Sequence, residues 1–320
     1  MALISRVPVR PNFEILGKRR MTLAFSAGLF LVSVLLAAVV GLNLGVDFRG
    51  GILMEVETEA ETADIGNFRS TLNDLDLGEV TIQRFGEPNR LLINIQEQEG
   101  GAKAQQAAIE TVKQTLDDRV SSYRRTEFVG PKVGEELKRA GMMATGLALL
   151  AMAAYIWLRF EWQFALAGLI ALIHDVVATI GFFSLTQLEF TLGSVAAVLT
   201  IAGYSINDTV VIFDRVRESM RRYKRKAMPE LLNIAVNGTL MRTALTSATT
   251  LIALFALAIF GGAVIRSFTW ALIFGVALGT YSSVGLAVPL LMYFGVKPTQ
   301  LLAEQESDKQ AAERATGGAS

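Results

Sequence analysis

Long apolar runs alternate with polar segments along the 320-residue chain. A helix that spans a membrane needs about 20 mostly apolar residues, because each residue advances it by ~1.5 Å. Six runs meet this requirement, and they predict spans at residues 21–42, 140–158, 163–184, 191–213, 244–264 and 268–294. The pattern therefore predicts an α-helical polytopic membrane protein.

Between the first two spans, residues 43–139 form a polar segment in which short stretches of alternating or helically spaced apolar residues replace the long apolar runs. Alternating residues predict strands in GILMEVE, VTIQRFG, RLLINIQ and RRTEFVG, the last ended by Pro131. Helical spacing predicts helices in ETADIGNFRSTLNDL, with Thr62 as a possible N-cap, and in GAKAQQAAIETVKQTLDDRV. The order of strand, helix, strand, strand, helix and strand predicts a small ferredoxin-like α+β domain outside the membrane.

The basic residues predict the orientation of the chain. Lys18, Arg19 and Arg20 precede the first span, and the segment DRVRESMRRYKRKAMPE is strongly basic, so both are expected in the cytoplasm. This orientation gives a cytoplasmic N-terminus at 1–20, a periplasmic domain at 43–139, a cytoplasmic basic loop at 214–243 and a polar, disordered cytoplasmic tail at 295–320. The first span could instead be a signal peptide, but no A-x-A-like cleavage site follows it.

Composition excludes several classes of function. Hydrophobic residues make up 52% of the chain and the mean hydropathy is +0.41, although the formal net charge is zero. The absence of cysteine and the single histidine exclude thiol catalysis and a His-rich metal site. The chain contains no P-loop motif, and the external domain has no catalytic carboxylate pair. We therefore predict no enzyme activity, no cofactor and no nucleic-acid partner.

Polar residues inside the predicted spans are the candidate functional groups. An ionised side chain at bilayer depth costs roughly 2.5–3.5 kcal/mol, so such residues usually face the interior of the bundle and pair. The candidates are Asn207 and Asp208 in span four, Arg242, Thr246, Ser247, Thr249 and Thr250 in span five, and His174 and Asp175 in span three.

Asp208 and Arg242 are predicted to lie at similar depth, ~26 and ~28 Å from the outer ends of their spans. Arg242, Thr246, Thr249 and Thr250 share one helix face, which could face Asp208. Burial would favour a neutral Asp208 and the guanidinium would favour an ionised one, so the carboxyl could bind and release protons.

Structural interpretations remain open for each candidate. Asp208 could simply pair with Arg242, and Arg242 could extend to the membrane interface. His174 could be an interhelical hydrogen-bond donor, and the hydroxyl groups could serve only to pack helices.

Several motifs resemble those of the SecD/SecF family, and they occur in the family's order over almost the whole chain. LGVDFRGG, which ends at Gly51, resembles the motif shared by both branches of the family. HDV at His174, GYSINDTVVIFDRVRE around Asp208 and RTALTSATT from Arg242 resemble signatures of the SecF branch, as does NFEILGKRR near the N-terminus. The chain is accordingly identified as a member of the SecF branch.

The resemblance implies a structure and a function. It implies half of a transporter of the resistance–nodulation–division superfamily, with SecD supplying the other half and a further carboxylate. It implies a complex in the bacterial cytoplasmic membrane that associates with SecYEG and uses the proton-motive force to move a translocating preprotein outward. Asp208 and Arg242 fall on the family's proton pathway.

Two other functions remain possible. One is a half-transporter of the same superfamily for small molecules or lipids, although the outer loops LTQLEF and GGAVIRS are too short for a second external domain. The other is a passive scaffold of the translocon, against which the energetic cost of Asp208 argues.

Overall fold

The computed structural model describes residues 13–262 and 264–296. Most of the predicted tail at 295–320 and the first twelve residues of the predicted cytoplasmic N-terminus lie outside the described residues. In chain order the elements are a 3₁₀ turn at Leu16–Lys18, α1 (Arg19–Val39), α2 (Val46–Arg49), β1 (Gly51–Thr58), α3 (Ile65–Asn73), β2 (Val80–Arg84), β3 (Arg90–Ile95), α4 (Ala102–Leu116), β4 (Val120–Val129), α5 (Pro131–Arg159), α6 (Trp162–Thr186), α7 (Leu192–Arg222), α8 (Met228–Phe260), α9 (Arg266–Ser282), a π-helical segment at Ser283–Ala287 and α10 (Val288–Tyr293).

Six of these helical stretches are long and apolar enough to cross a membrane, as the sequence predicted. They are α1, α5, α6, α7, α8 and the continuous stretch formed by α9, the π-helical segment and α10. Helices α6, α7 and α9 are the most buried, whereas α1 and α5 are mostly exposed. The bundle therefore has a packed centre, with α1 and α5 on its surface.

Several helices extend beyond the membrane spans predicted for them. The segment predicted as a loop at 214–243 is mostly helix, since α7 continues to Arg222 and α8 begins at Met228. Arg, Lys and Glu are good helix formers, so a basic segment that leaves the membrane can remain helical. Similarly, α5 begins at Pro131, nine residues before the span predicted at 140–158, and proline is well suited to the first turn of a helix.

The external domain has the predicted ferredoxin-like order of elements. Its four strands form an antiparallel sheet in the order β2-β3-β1-β4. One face packs against α3 and α4 through a core that includes Ile52, Leu72, Ile93 and Val112. On the other face, Leu53 and Leu92 pack against Val46 of α2. The sheet therefore packs against the short segment that connects α1 to β1.

Local details of the external domain correct the sequence prediction. The N-cap of α3 is Asp64, which accepts a hydrogen bond from the Asn67 backbone N–H at 3.2 Å, so the proposal of Thr62 was wrong. Aspartate is at least as good a cap as threonine, and the helix starts at the residue after Asp64. Strand β4 also begins four residues earlier than predicted.

We predict that Leu91→Ala destabilises the external domain by about 2–5 kcal/mol, because Leu91 is fully buried in its core and the substitution leaves a cavity. Pulse proteolysis of the intact chain in membranes would measure the loss. Thr81→Ala on the exposed surface of β2 is the control, with an expected change within about 0.5 kcal/mol. Equal losses in the two variants would contradict this assignment of the core.

Candidate functional site

Asp208 lies near the middle of α7 and points into the bundle. Its side chain is 4% exposed, and its Oδ2 atom is buried without a hydrogen-bond partner among the described residues. Asn207, the preceding residue, is exposed on another face of α7. Asp208 is therefore the buried member of the pair, and one of its oxygens is available to a proton or to a further donor.

Arg242 does not form an ion pair with Asp208. The ion pairs of the described residues include none between them, although Arg242 is near enough to act on Asp208 electrostatically. The arginine side chain is exposed on the surface of α8. The interaction is therefore at longer range than a direct contact.

The predicted polar stripe on α8 is also exposed rather than turned towards Asp208. Thr246 and Thr249 are exposed and Thr250 is half-buried. Each of the three hydroxyls donates to a backbone carbonyl of its own helix at about 3 Å. In the described part of the chain none of these three threonines is hydrogen-bonded to Asp208, and the neighbouring face of α8, which carries Thr243 and Ser247, packs inward.

The inward face of α8 carries Thr243 and Ser247. Ser247 is hydrogen-bonded to the Tyr204 hydroxyl of α7 at 3.2 Å and to Thr280 of α9 at 2.6 Å. The hydroxyl of Thr243 is buried without a partner among the described residues. These side chains link α8 to α7 and α9 and leave a second unpaired polar atom inside the bundle.

His174 and Asp175 on α6 belong to a buried network that joins three helices. Asp175 is fully buried, and its Oδ1 atom lies 2.9 Å from His174 Nδ1. Its Oδ2 atom accepts hydrogen bonds from Ser205 of α7 and Ser282 of α9, each at 2.5 Å. Both carboxylate oxygens are therefore satisfied, in contrast to Asp208.

Small residues allow α7 and α9 to approach closely enough for this network. A Cβ atom at Gly279 would lie 3.1 Å from the Cβ of Ser205, and one at Gly275 would collide with Ile201. The π-helical segment begins at Ser283, directly after Ser282. Such segments are rare and often mark functional sites. The network therefore sits where the sixth membrane helix changes geometry.

The segment that leads into the external domain is attached to the loop between α6 and α7. We call residues 45–51 the GG segment. Gly45 N–H donates to the Phe190 carbonyl at 3.0 Å, and Phe190 N–H donates to the Asn43 carbonyl at 2.7 Å. Gly50 and Gly51 have φ angles of 74° and 111°, and a Cβ at Gly51 would lie 2.5 Å from the Ile95 carbonyl oxygen. Only glycine fits these two positions without strain.

Asp47 of the GG segment contacts the N-terminus of α7. Its Oδ2 atom accepts the backbone N–H of Leu192, the first residue of α7, at 2.9 Å. A carboxylate is favourable there because the unpaired N–H groups and the dipole of the helix attract negative charge. The helix that carries Asp208 is therefore attached at its N-terminus to the segment that leads into the external domain.

Glu189 is a half-buried acid at the same attachment. Burial is the main cause that raises its pKa above the usual value of 4.5, and the nearby Asp47 raises it further. Glu127 also raises the pKa, whereas Arg125 on β4 lowers it. Its Oε1 atom would lie 2.9 Å from a Cβ at Gly45. Protonation therefore relieves the crowding of negative charge beside the GG segment.

Sequence reasoning missed three parts of this arrangement. Ser205 carried a signal, because it lies three residues before Asp208 and so near it on the helix surface. Ser282 and Glu189 carried none, since only the packing of the helices brings them to Asp175 and to the GG segment. The described residues contain no group of acidic or histidine side chains that could hold a metal ion.

Comparisons with known proteins agree with the resemblance seen in the motifs. The family model for the protein export membrane protein SecD/SecF, C-terminal, matches residues 108–297. The model for the SecD/SecF GG motif matches residues 36–61. The two matches cover most of the membrane bundle and the GG segment.

Curated relatives are similar over nearly the full chain. Protein translocase subunit SecF of Rickettsia bellii is 42% identical over 91% of this chain and 96% of its own length. The protein of the same name from Cereibacter sphaeroides is 42% identical over 90% of this chain and 91% of its own length.

A solved structure shares the fold. The crystal structure of SecDF, a translocon-associated membrane protein from Thermus thermophilus, matches with a TM-score of 0.83 at 31% identity. A crystal structure of SecDF in a super-membrane-facing form matches with a TM-score of 0.65 at 30% identity. The matches cover 90% and 95% of this chain but only 39% and 40% of the SecDF chains, so this chain spans about two-fifths of those proteins.

We predict that Asp175→Ala lowers the free energy of unfolding by about 3–5 kcal/mol, because it leaves His174, Ser205 and Ser282 without their buried acceptor. Unfolding of the purified protein in mixed micelles would measure the change. The control is Asp214→Ala, which removes an exposed ion pair with Arg159 and should cost at most about 1 kcal/mol. A loss no larger than that of the control would contradict a structural role of the network.

We predict that the attachment of the GG segment becomes more stable as the pH falls. A carboxyl whose pKa is raised by folding binds its proton more tightly in the folded state, so its contribution to stability is lost as the pH rises above the usual value of 4.5 and through the raised pKa. Hydrogen exchange of the Gly45 and Phe190 amides, corrected for the intrinsic effect of pH, should be slower in acid.

The matched variant for this prediction is Glu189→Gln, which imitates the protonated side chain. Hydrogen exchange of the Gly45 and Phe190 amides should depend on pH much less in this variant than in the wild-type chain. If both proteins showed the same dependence, Glu189 would not be the titrating group.

Proposed function

Because the chain belongs to the SecD/SecF family of protein export membrane proteins, within its SecF branch, we propose that it is one half of a proton-driven complex that assists protein translocation. SecD is the proposed other half, and the SecYEG channel and a translocating preprotein are the proposed further partners. Transport, rather than catalysis, is the proposed role. The chain is a multi-pass membrane protein, and we propose that both termini are cytoplasmic and the external domain periplasmic.

The observation that carries the proposal is the position of one buried carboxyl on one helix. Asp208 is enclosed in the bundle, and its Oδ2 atom has no partner among the residues that the structure describes. It lies 16 residues, or ~24 Å, along α7 from Leu192. Leu192 is held by Asp47, which leads into the external domain. A change in the protonation of Asp208 that moves α7 would therefore be transmitted to the external domain.

Arg242 is proposed as the electrostatic partner that acts when the two halves are assembled. Its guanidinium is exposed on α8, and Asn207 is exposed on α7. An exposed arginine and a row of threonines at membrane depth are unfavourable against lipid. These faces are suited to pack against the second half, which would enclose Arg242 with Asp208 and with a carboxylate of the partner.

Asp175 and His174 are proposed to position α7 rather than to carry protons. The carboxylate of Asp175 on α6 accepts hydrogen bonds from Ser205 of α7 and Ser282 of α9 and is hydrogen-bonded to His174, so it holds the three central helices in register. Ser205 lies one turn from Asp208 on α7. Movement of α7 would have to stretch or break this network.

The expected effect of Asp208→Asn is loss of the gradient-dependent part of export. Asparagine keeps the shape of the side chain but cannot bind and release a proton. Export of a secretory protein would be measured in energised membrane vesicles that contain this chain and SecD. We expect export to fall to the level seen after the proton gradient is collapsed, whereas the gradient-independent part remains.

Three controls separate coupling from assembly. Co-purification with SecD should be unchanged, and Asp208→Glu, which retains a titratable group, should keep part of the activity. Asp214→Asn, on the same helix but in an exposed ion pair, should export normally. Unchanged export by Asp208→Asn would support a passive scaffold and overturn the proposed coupling.

A further inference from the structure

A crevice of about 680 Å³ opens between α1, α6 and α10, away from the Asp208 site. Leu23 and Phe30 of α1, Ile173 of α6 and Leu290 of α10 are among its apolar lining residues. Leu31 and Ile173, which also line it, are exposed on the surface of the bundle, so the crevice opens sideways towards the membrane. Its volume falls within the range typical of binding sites for small molecules.

Basic residues lie at one end of the crevice. Arg19 and Arg20 precede Leu23 by four and three residues, so they lie one turn away on the same face of α1. Lys18 adjoins them, and Glu14 is the acidic residue in the described part of this segment. The ion pairs of the described residues include neither Arg19 nor Arg20. This end of the crevice is therefore suited to a negatively charged group.

The ring of His174 also lines the crevice. The side chain is 3% exposed, its Nδ1 atom is bonded to Asp175, and its Nε2 atom is buried without a partner among the described residues. Helices α1 and α6 run side by side, since Ser184 donates to the Leu36 carbonyl and Gly181 touches Ser33. His174 is thus level with Ser26, roughly 10 Å deeper than Arg19.

We propose that this crevice binds an anionic phospholipid. The phosphate lies against Arg19 and Arg20, and one acyl chain fills the apolar walls beside α6. The glycerol–ester region lies against Ser26 and the ring of His174, which both line the crevice. Charge complementarity favours an anionic over a zwitterionic lipid, since residues 13–20, which lead into this end of α1, contain three basic residues and one acidic residue.

The test uses the full chain with its partner subunit and a photoactivatable phenylalanine analogue at position 30. The complex is reconstituted in bilayers of equal phosphatidylglycerol and phosphatidylethanolamine, and the crosslinked products are identified by mass. Among the crosslinked lipids, the ratio of phosphatidylglycerol to phosphatidylethanolamine should exceed that of the bilayer by about fivefold for each basic residue that contacts the phosphate.

Three variants distinguish a built site from the surrounding lipid. Arg19→Gln with Arg20→Gln should remove the preference for phosphatidylglycerol, and Ala27→Phe should reduce labelling by both lipids because it fills the crevice while keeping the charges. Lys224→Gln with Arg225→Gln removes the same charge from the turn between α7 and α8, and should change nothing. The proposal would be overturned if position 30 crosslinked equally to the two lipids, or if it crosslinked to the partner subunit instead of lipid. It would also be overturned if the Lys224→Gln, Arg225→Gln control lowered the preference for phosphatidylglycerol as much as the Arg19→Gln, Arg20→Gln variant.

Discussion

The cost of placing a carboxyl group among membrane helices shapes the centre of this protein. A charge in hydrocarbon is unfavourable, so the helix that carries Asp208 must be surrounded by other helices. Helix α7 packs against α5, α6, α8 and α9, and about half of its apolar stretch is buried. The glycines of α9 permit the close approach that this enclosure requires.

The two buried aspartates of the bundle differ in their hydrogen bonding. Asp175 accepts hydrogen bonds from two serines and lies against His174, so each of its two carboxylate oxygens has a partner. Asp208 keeps an oxygen without a partner among the described residues. A fully satisfied buried acid stabilises one arrangement of helices, whereas an unsatisfied one favours a change of protonation or of packing. This contrast is the reason why we propose a positioning role for Asp175 and a proton-binding role for Asp208.

The external domain and the membrane bundle are connected by more than the chain itself. The GG segment is hydrogen-bonded to the loop before α7, and Asp47 accepts the backbone N–H of the first residue of α7. The sheet of the external domain packs through Leu53 and Leu92 on Val46 of the same segment. The exposed polar faces of α7 and α8 are consistent with the proposed packing against a second half, and the SecDF chains are much longer than this one.

The sequence alone determined the number of membrane helices, the order of elements in the external domain and the identity of the polar residues inside the bundle. Hydrophobic length and period are local properties, so residue patterns are sufficient to predict them. Tertiary structure decided which of these polar residues meet. The rotation of α8 turns Arg242 and Thr246 outward and Ser247 inward, and the close packing of α9 brings Ser282 to Asp175. Such contacts depend on how whole helices pack against each other, and a pattern along one helix does not specify that packing.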